Sequence, residues 1–328
     1  MSTLYPILDS VSRRRARRRG WAMAGLALLA FPPLPSADTT ANPVETLVRL
    51  GQSEDDVVEA VRRFHRLQQA LFDWDADQVE ALEQNGDSRL ASLKREQAHQ
   101  RLLSVRRAYE DALKRYAANA RLTNDYGELL YDAFGEAEAA VRLWQSAKHL
   151  DPNFSAPYNN LAIHYCHEGA YRLGIDHYRR ALELDPDHPD YLFNLAQTYL
   201  IHSPQVREIL QWTNERTYAE AMRLSERAAA MAPDDFALVR DYAMNFFAAE
   251  RFGVLPDWRK AAEAWAAARP LATTREDEFN AWLYEARAWI RYPDTQRAGA
   301  CLEKALTLFP DSPIARALMD GIGVAPAR

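Results

Sequence analysis

The segment "HYCHEGAYRLGIDHY", residues 164–178, brings three imidazoles and a thiol close together: His164, Cys166, His167 and His177. Residues three apart share one face of a helix, so His164 and His167 are neighbours there. If the chain turns after Gly169, His177 arrives on the partner helix, and three imidazoles suit a metal such as zinc. Cys166, two residues from His164, points elsewhere. Histidines on the outer surface of a helical pair explain the same pattern without a metal. That is the preferred reading, and no metal or cofactor is expected. An enzyme or metal-dependent protein built on His164, His167 and His177 stands as the alternative. No Gly-rich phosphate loop, nucleophile elbow or His-Glu-x-x-His occurs in the chain. Its many acids need no role beyond solvating helix faces.

The elements that would position these side chains repeat. Pro152 and Pro186 lie 34 residues apart, each in the phrase Leu-Asp-Pro. Units 121–154 and 155–188 superpose without a gap. Tyr158, Leu161, Ala162, Tyr165, Gly169, Tyr171, Tyr178, Ala181, Leu184 and Pro186 of the second fall where a helix-turn-helix unit wants them, and Tyr131, Ala140, Trp144, Ala147, Leu150 and Pro152 of the first take matching places. Large aromatics alternate with alanines, as helices in close approach require, because a bulky knob needs a small residue opposite. Three less regular units follow. Residues 189–235 carry an insertion around 201–216, residues 236–275 lack the closing proline, and residues 279–312 return to form with Trp282, Ala286, Trp289, Ala298, Ala305 and Pro310. A fixed period of this length marks a stacked-repeat architecture.

These residues resemble the tetratricopeptide repeat family, whose 34-residue unit is a pair of antiparallel helices closed by proline. The resemblance implies an all-α fold, an alpha-alpha superhelix (TPR solenoid) of about five units over 121–312. It also implies that the first helix of each unit lines a groove through its fifth and ninth positions. Those are Asp125 and Leu129, Asn159 and Ile163, Phe193 and Gln197, Arg240 and Met244, and Leu283 and Arg287. Some relatives grip a C-terminal carboxylate with lysine, asparagine and arginine at these places. Here Leu129, Ile163, Phe193 and Gln197 stand instead, which argues against that ligand. The expected partner is a protein, presenting a peptide or a helix to Asn159, Ile163, Phe193, Gln197, Arg240 and Met244. The insertion reads as a long loop, and Trp212 within it either anchors a partner or packs back on a neighbouring helix.

Residues 38–120 read as an N-terminal helical hairpin that caps the first repeat, as a solenoid end requires. Ser53 with Asp55 and Asp56 starts a helix, Asn85-Gly86 breaks it, and Ala98, Leu102, Val105, Tyr109, Ala112 and Tyr116 form a narrow apolar seam. A homodimer through residues 88–118 is the alternative use of that seam. Residues 313–328 read as a C-terminal tail.

Residues 1–37 stand apart. Six arginines precede an 11-residue apolar run, Trp21 to Phe31, and a Pro-rich breaker, the order of an export signal. The run is shorter than the roughly 20 residues that span a bilayer, so no stable membrane anchor is expected after cleavage near Ala37. An exported protein, periplasmic or extracellular, follows from this reading, with an organelle-targeted or cytoplasmic one as alternatives. The whole chain carries a net charge of −6. Its first 37 residues hold six arginines and one aspartate, five net positive charges, which leaves about −11 on the body. A body that acidic excludes phosphate backbones, so no nucleic acid partner is expected. Cys166 and Cys301 lie in separate repeats, at roughly 10 Å per stacked unit, beyond disulfide reach. Two buried free thiols are expected.

Overall fold

The computed structural model describes residues 53–323, together with Val44. Every regular element among the described residues is a helix, and none is long and apolar enough to cross a membrane. The export signal lies outside the described residues. The chain forms two compact units that divide within one helix, the first ending at His164 and the second beginning at Tyr165.

The first unit opens with a long hairpin, α1 (Glu54–Gln84) and α2 (Ser88–Arg115). A capping box starts α1: the Asp56 N–H donates to Ser53 Oγ at 3.3 Å, and the Ser53 N–H donates to Asp56 Oδ2 at 3.1 Å. The Ser53 hydroxyl, which donates to Asp56 Oδ2 at 2.6 Å, and then the Ser53 N–H hold the exposed Asp56 carboxyl below its usual range. Gly86, at φ 78°, makes the left-handed turn that other residues resist, and Asp87 caps α2. The seam residues Ala98, Leu102, Val105, Tyr109 and Ala112 are buried where α2 packs along α1. A polar lock sets the register. Asp75 of α1 is buried and takes Lys94 at 3.1 Å and Arg101 at 2.8 Å from α2. The seam offered for a homodimer is thus closed within the chain by α1.

Helices α3 (Ala120–Leu129) and α4 (Ala137–Leu150) form the first repeat, and α2 packs against α3. The hairpin and first repeat therefore belong to one unit, with no break near residue 120. A π-helical segment, Leu130–Phe134, extends α3 to Gly135 at φ 68°. Trp144 of α4 lies directly over Gly127, where an added Cβ would sit 2.6 Å from Nε1, and its indole N–H donates to the Asn124 carbonyl at 3.3 Å. Glycine is required there by that close approach. α5 (Ala156–His167) enters this unit with its residues up to His164.

The second unit continues with α6 (Tyr171–Leu184), α7 (Pro189–Ile201), α8 (Ser203–Leu210), α9 (Asn214–Met231), α10 (Phe236–Asn245), α11 (Trp258–Ala268), α12 (Arg275–Arg291), α13 (Thr295–Leu308) and α14 (Pro313–Gly321). Three antiparallel pairs result, α7 with α9, α10 with α11 and α12 with α13. The alanines set by the period lie between packed helices: Ala181, Ala221, Ala228, Ala243, Ala261, Ala268, Ala286, Ala298 and Ala305 are all buried, as are Ala140 and Ala147 in the first unit. Around them Trp265, Trp289, Phe246 and Leu302 fill a continuous core, burial that is the dominant favourable term in folding.

Two expectations change here. The insertion is not a long loop, because Ser203–Leu210 forms α8, with Val206 fully buried and Gln211 closing it at φ 54°. The segment set aside as a tail holds α14, capped by Ser312 and packed on α13 through buried Ala315 and Met319. An apolar stripe at helical spacing closes the last repeat's core there.

Candidate partner-binding face

In the first unit the fifth and ninth positions of the repeat helices are occupied from within. Leu129 is 2% exposed, Asn159 6% and Ile163 8%. They are core residues rather than an open surface, and Asn159 and Ile163, expected to face a partner, are among them. Asp125 is nearly as enclosed, paired to Arg62 of α1 at 2.9 Å. Around it lies a polar network that the repeat pattern did not single out. Asn160 donates to Asn124 Oδ1 at 3.0 Å and to Glu128 Oε1 at 2.8 Å, and Asn124 donates to Glu128 at 3.2 Å. Burial, then the nearby Glu128 carboxylate, pushes the Asp125 carboxyl up to about 6 against the pull of Arg62. On α2 the buried Tyr109 hydroxyl meets His65 Nδ1 at 3.0 Å, and burial drives it well above the usual phenol range. Amides and acids repeated one turn apart on α3 were the available signal for this network.

The second unit is different. Phe193 and Gln197 on α7, Arg240 and Met244 on α10, and Arg287 on α12 are all partly exposed, while Leu283 is buried in the core. Each lies on the first helix of one of the three pairs. Arg240 stacks over Phe236 at 5.5 Å and reaches Asp241 at 3.3 Å. Arg287 lies over Phe247 at 5.4 Å and over Tyr284 at 4.8 Å. Trp212 packs back, edge-on to Tyr199 at 5.4 Å with Arg216 over its face at 4.8 Å, and is half-buried.

The histidines go to separate tasks. His164 meets Tyr131 edge-on at 6.0 Å. His177 lies against Tyr165 at 5.1 Å, with Nδ1 2.9 Å from the Leu173 carbonyl. His167 is exposed, and burial lowers the neighbouring His202. Among the described residues no group of three or more His, Cys, Asp or Glu is placed to hold a metal ion. Cys166 and Cys301 are buried free thiols, the first pushed up to about 11 by burial and the second to about 12 by burial and Glu285. Burial thus favours the protonated thiol at both, the opposite of what activates a nucleophilic cysteine.

A pocket of about 190 Å³ also opens in the second unit, floored by Tyr218, Met222 and Phe246 and rimmed by Glu226, Tyr242 and Lys260. Glu226 accepts from Lys260 at 2.7 Å and from the Tyr242 hydroxyl at 3.2 Å. Its polar groups satisfy one another, and Lys260 is raised by Glu226, so it offers no poised base.

Residues 177–221 match a tetratricopeptide repeat model. Among solved structures, the chain is similar to YrrB, a tetratricopeptide protein with an unusual peptide-binding site, at 18% identity and a TM-score of 0.46, covering 65% of this chain and 98% of that one. It is similar to the C-terminal part of a repeat-containing protein from Cytophaga hutchinsonii, at 15% identity and a TM-score of 0.49, covering 77% and 98%. PilF of Pseudomonas aeruginosa is similar at 14% identity and a TM-score of 0.46, covering 77% and 99%. No protein of curated function is significantly similar in sequence. The matched segment runs from α6 into α9 and carries a tetratricopeptide repeat, and buried alanines stand at the repeat positions of the paired helices.

Proposed function

We propose that the chain is a non-catalytic scaffold that holds an extended segment or a helix of a partner protein against α7, α10 and α12. The observation that carries this is the partial exposure of Phe193, Gln197, Arg240 and Met244 in a unit whose repeat-position alanines are buried. A row mixing aromatic, thioether, amide and guanidinium groups suits polypeptide recognition, where backbone and side chains both need partners. Rigid helices lower the ordering cost of association. A library of 12-residue peptides, displayed on phage and selected on the full-length chain, tests this. The expected result is binders that lose at least tenfold in affinity on Phe193→Ala with Met244→Ala, read by fluorescence polarisation. Binders that ignore both changes would place the site elsewhere.

We also propose that this work takes place after export. Support comes from residues 13–37 alone, whose arginines, apolar run and small residues have the order of a signal. Cell fractionation of the native protein tests it: recovery of the full-length chain in the cytoplasm alone would count against export.

A further inference from the structure

Arginines in the second unit follow a common plan. Arg240 stacks on Phe236 and turns its edge to Asp241. Arg269 lies 3.7 Å over Trp282 and pairs with Glu285. Arg291 lies 4.9 Å over Trp258 and meets Glu250 at 2.5 Å, and Arg297 lies 4.5 Å over Trp289 and meets Asp294 at 3.3 Å. Arg251 and Arg275 stack likewise and donate to the carbonyls of Leu200 and Leu308. The physical sense is uniform: a ring face takes the plane of the guanidinium, and an oxygen takes the N–H groups along its edge.

Arg287 has the first half of this arrangement twice over and lacks the second. Its guanidinium lies over both Phe247 and Tyr284, and those rings contact each other at 5.5 Å. Among the described residues no carboxylate or carbonyl accepts from it. Arg216 also stacks without an oxygen partner, but it is exposed over a single ring, where water suffices. Arg287 is partly buried, and it stands in the same row of first-helix positions as Phe193, Arg240 and Met244.

We infer that Arg287 is the seat of an aspartate or glutamate side chain carried by the bound partner segment, with Phe247 and Tyr284 holding the guanidinium in place for it. The choice of a side-chain carboxylate follows the molecule's own usage, since Asp241, Glu250, Glu285 and Asp294 fill that place in the completed examples. Charge complementarity points the same way. A chain with a net charge of −6 repels acidic segments in general, so an ordered cation without a counter-ion marks where an acid is admitted. The inference rests on the proposal that the first helices of the second unit bind a partner segment.

The selected 12-residue peptides provide the test, measured by fluorescence polarisation against the wild-type chain, Arg287→Gln and Arg287→Lys, with melts confirming that each variant folds. The expected binders share an Asp or Glu at one position. Changing that residue to Asn or Gln weakens binding to the wild type about tenfold or more, and to Arg287→Gln less than twofold. Arg287→Lys restores only part of the loss, because an ammonium keeps the charge without the planar edge. Amidating the peptide C-terminus leaves affinity unchanged. Peptides that bind through Phe193 and Met244 yet tolerate both the acid swap and Arg287→Gln would overturn the inference and leave the scaffold reading standing. Loss on amidation with no loss on the acid swap would overturn it too. A failure to select any binder would overturn the scaffold reading, and this inference with it.

Discussion

The fifth and ninth positions of the repeat helices are enclosed in the first unit and, Leu283 apart, partly exposed in the second. In the first unit Leu129, Asn159 and Ile163 are enclosed, and Asp125 is held by Arg62 from the long hairpin. In the second, Phe193, Gln197, Arg240, Met244 and Arg287 stay partly exposed, and Leu283 is buried. The same repeat register thus yields core in one place and surface in the other. Register states which side of a helix a residue takes; what else packs against that side decides its use.

The sharpest way to break this contrast is to truncate one residue from each row. Leu129→Ala removes a fully packed side chain and should cost about 3 kcal/mol of stability. Met244→Ala, at the corresponding ninth position, should cost about 1 kcal/mol. Urea melts of both variants check the pair, and equal losses would erase the distinction. Gly127→Ala should follow at about 2 kcal/mol, because the new methyl group meets the Trp144 indole. A melt within 0.5 kcal/mol or so of wild type would show that α3 and α4 can separate freely.

A smaller effect concerns pH. Asp125 has its folded pKa raised to about 6 by burial and by Glu128, above the unfolded carboxyl near 4. The folded state therefore binds the extra proton. The resulting stability is complete below about pH 4 and is lost as pH rises through about 6. Groups facing this carboxyl are Arg62 from α1, Glu128 from its own helix and, near the α2 side, the Tyr109 hydroxyl with His65. Lowering pH from 7 to 5 should stabilise the wild type over Asp125→Asn by about 1 kcal/mol. Parallel pH profiles of the two proteins would refute the enclosed carboxylate.

Much of this architecture was legible in the residues. Alanines and closing prolines at one period report close helix approach directly, so the helix pairs of 121–312 follow from spacing alone. Ser53 with Asp56 and Asn85-Gly86 marked the hairpin because caps and left-handed turns act locally. What escaped depends on distant partners. The burial of Ile163 and Asn159 has no local signature, because a groove position and a core position on a repeat helix use the same apolar or amide side chains. α8 fell in an insertion that has no repeat register to read. α14 had a visible start in Ser312-Pro313, but its role arises only when Ala315 and Met319 meet α13. The Asn124, Glu128 and Asn160 network joins helices 30 or more residues apart, which a period of 34 does not distinguish from ordinary surface polarity.

The most direct test of the central claim is site-specific photocross-linking in the native cell, with a benzophenone amino acid placed singly at Met244, at Gln197 and at Leu129 of the full-length chain. If the second unit holds a partner segment, the probes at 244 and 197 will join the chain to the same protein, and the probe at 129 will yield none of that product. Adducts of equal yield from 129, or their absence from 244 and 197 in cells where the probe at 129 captures a partner, would contradict it.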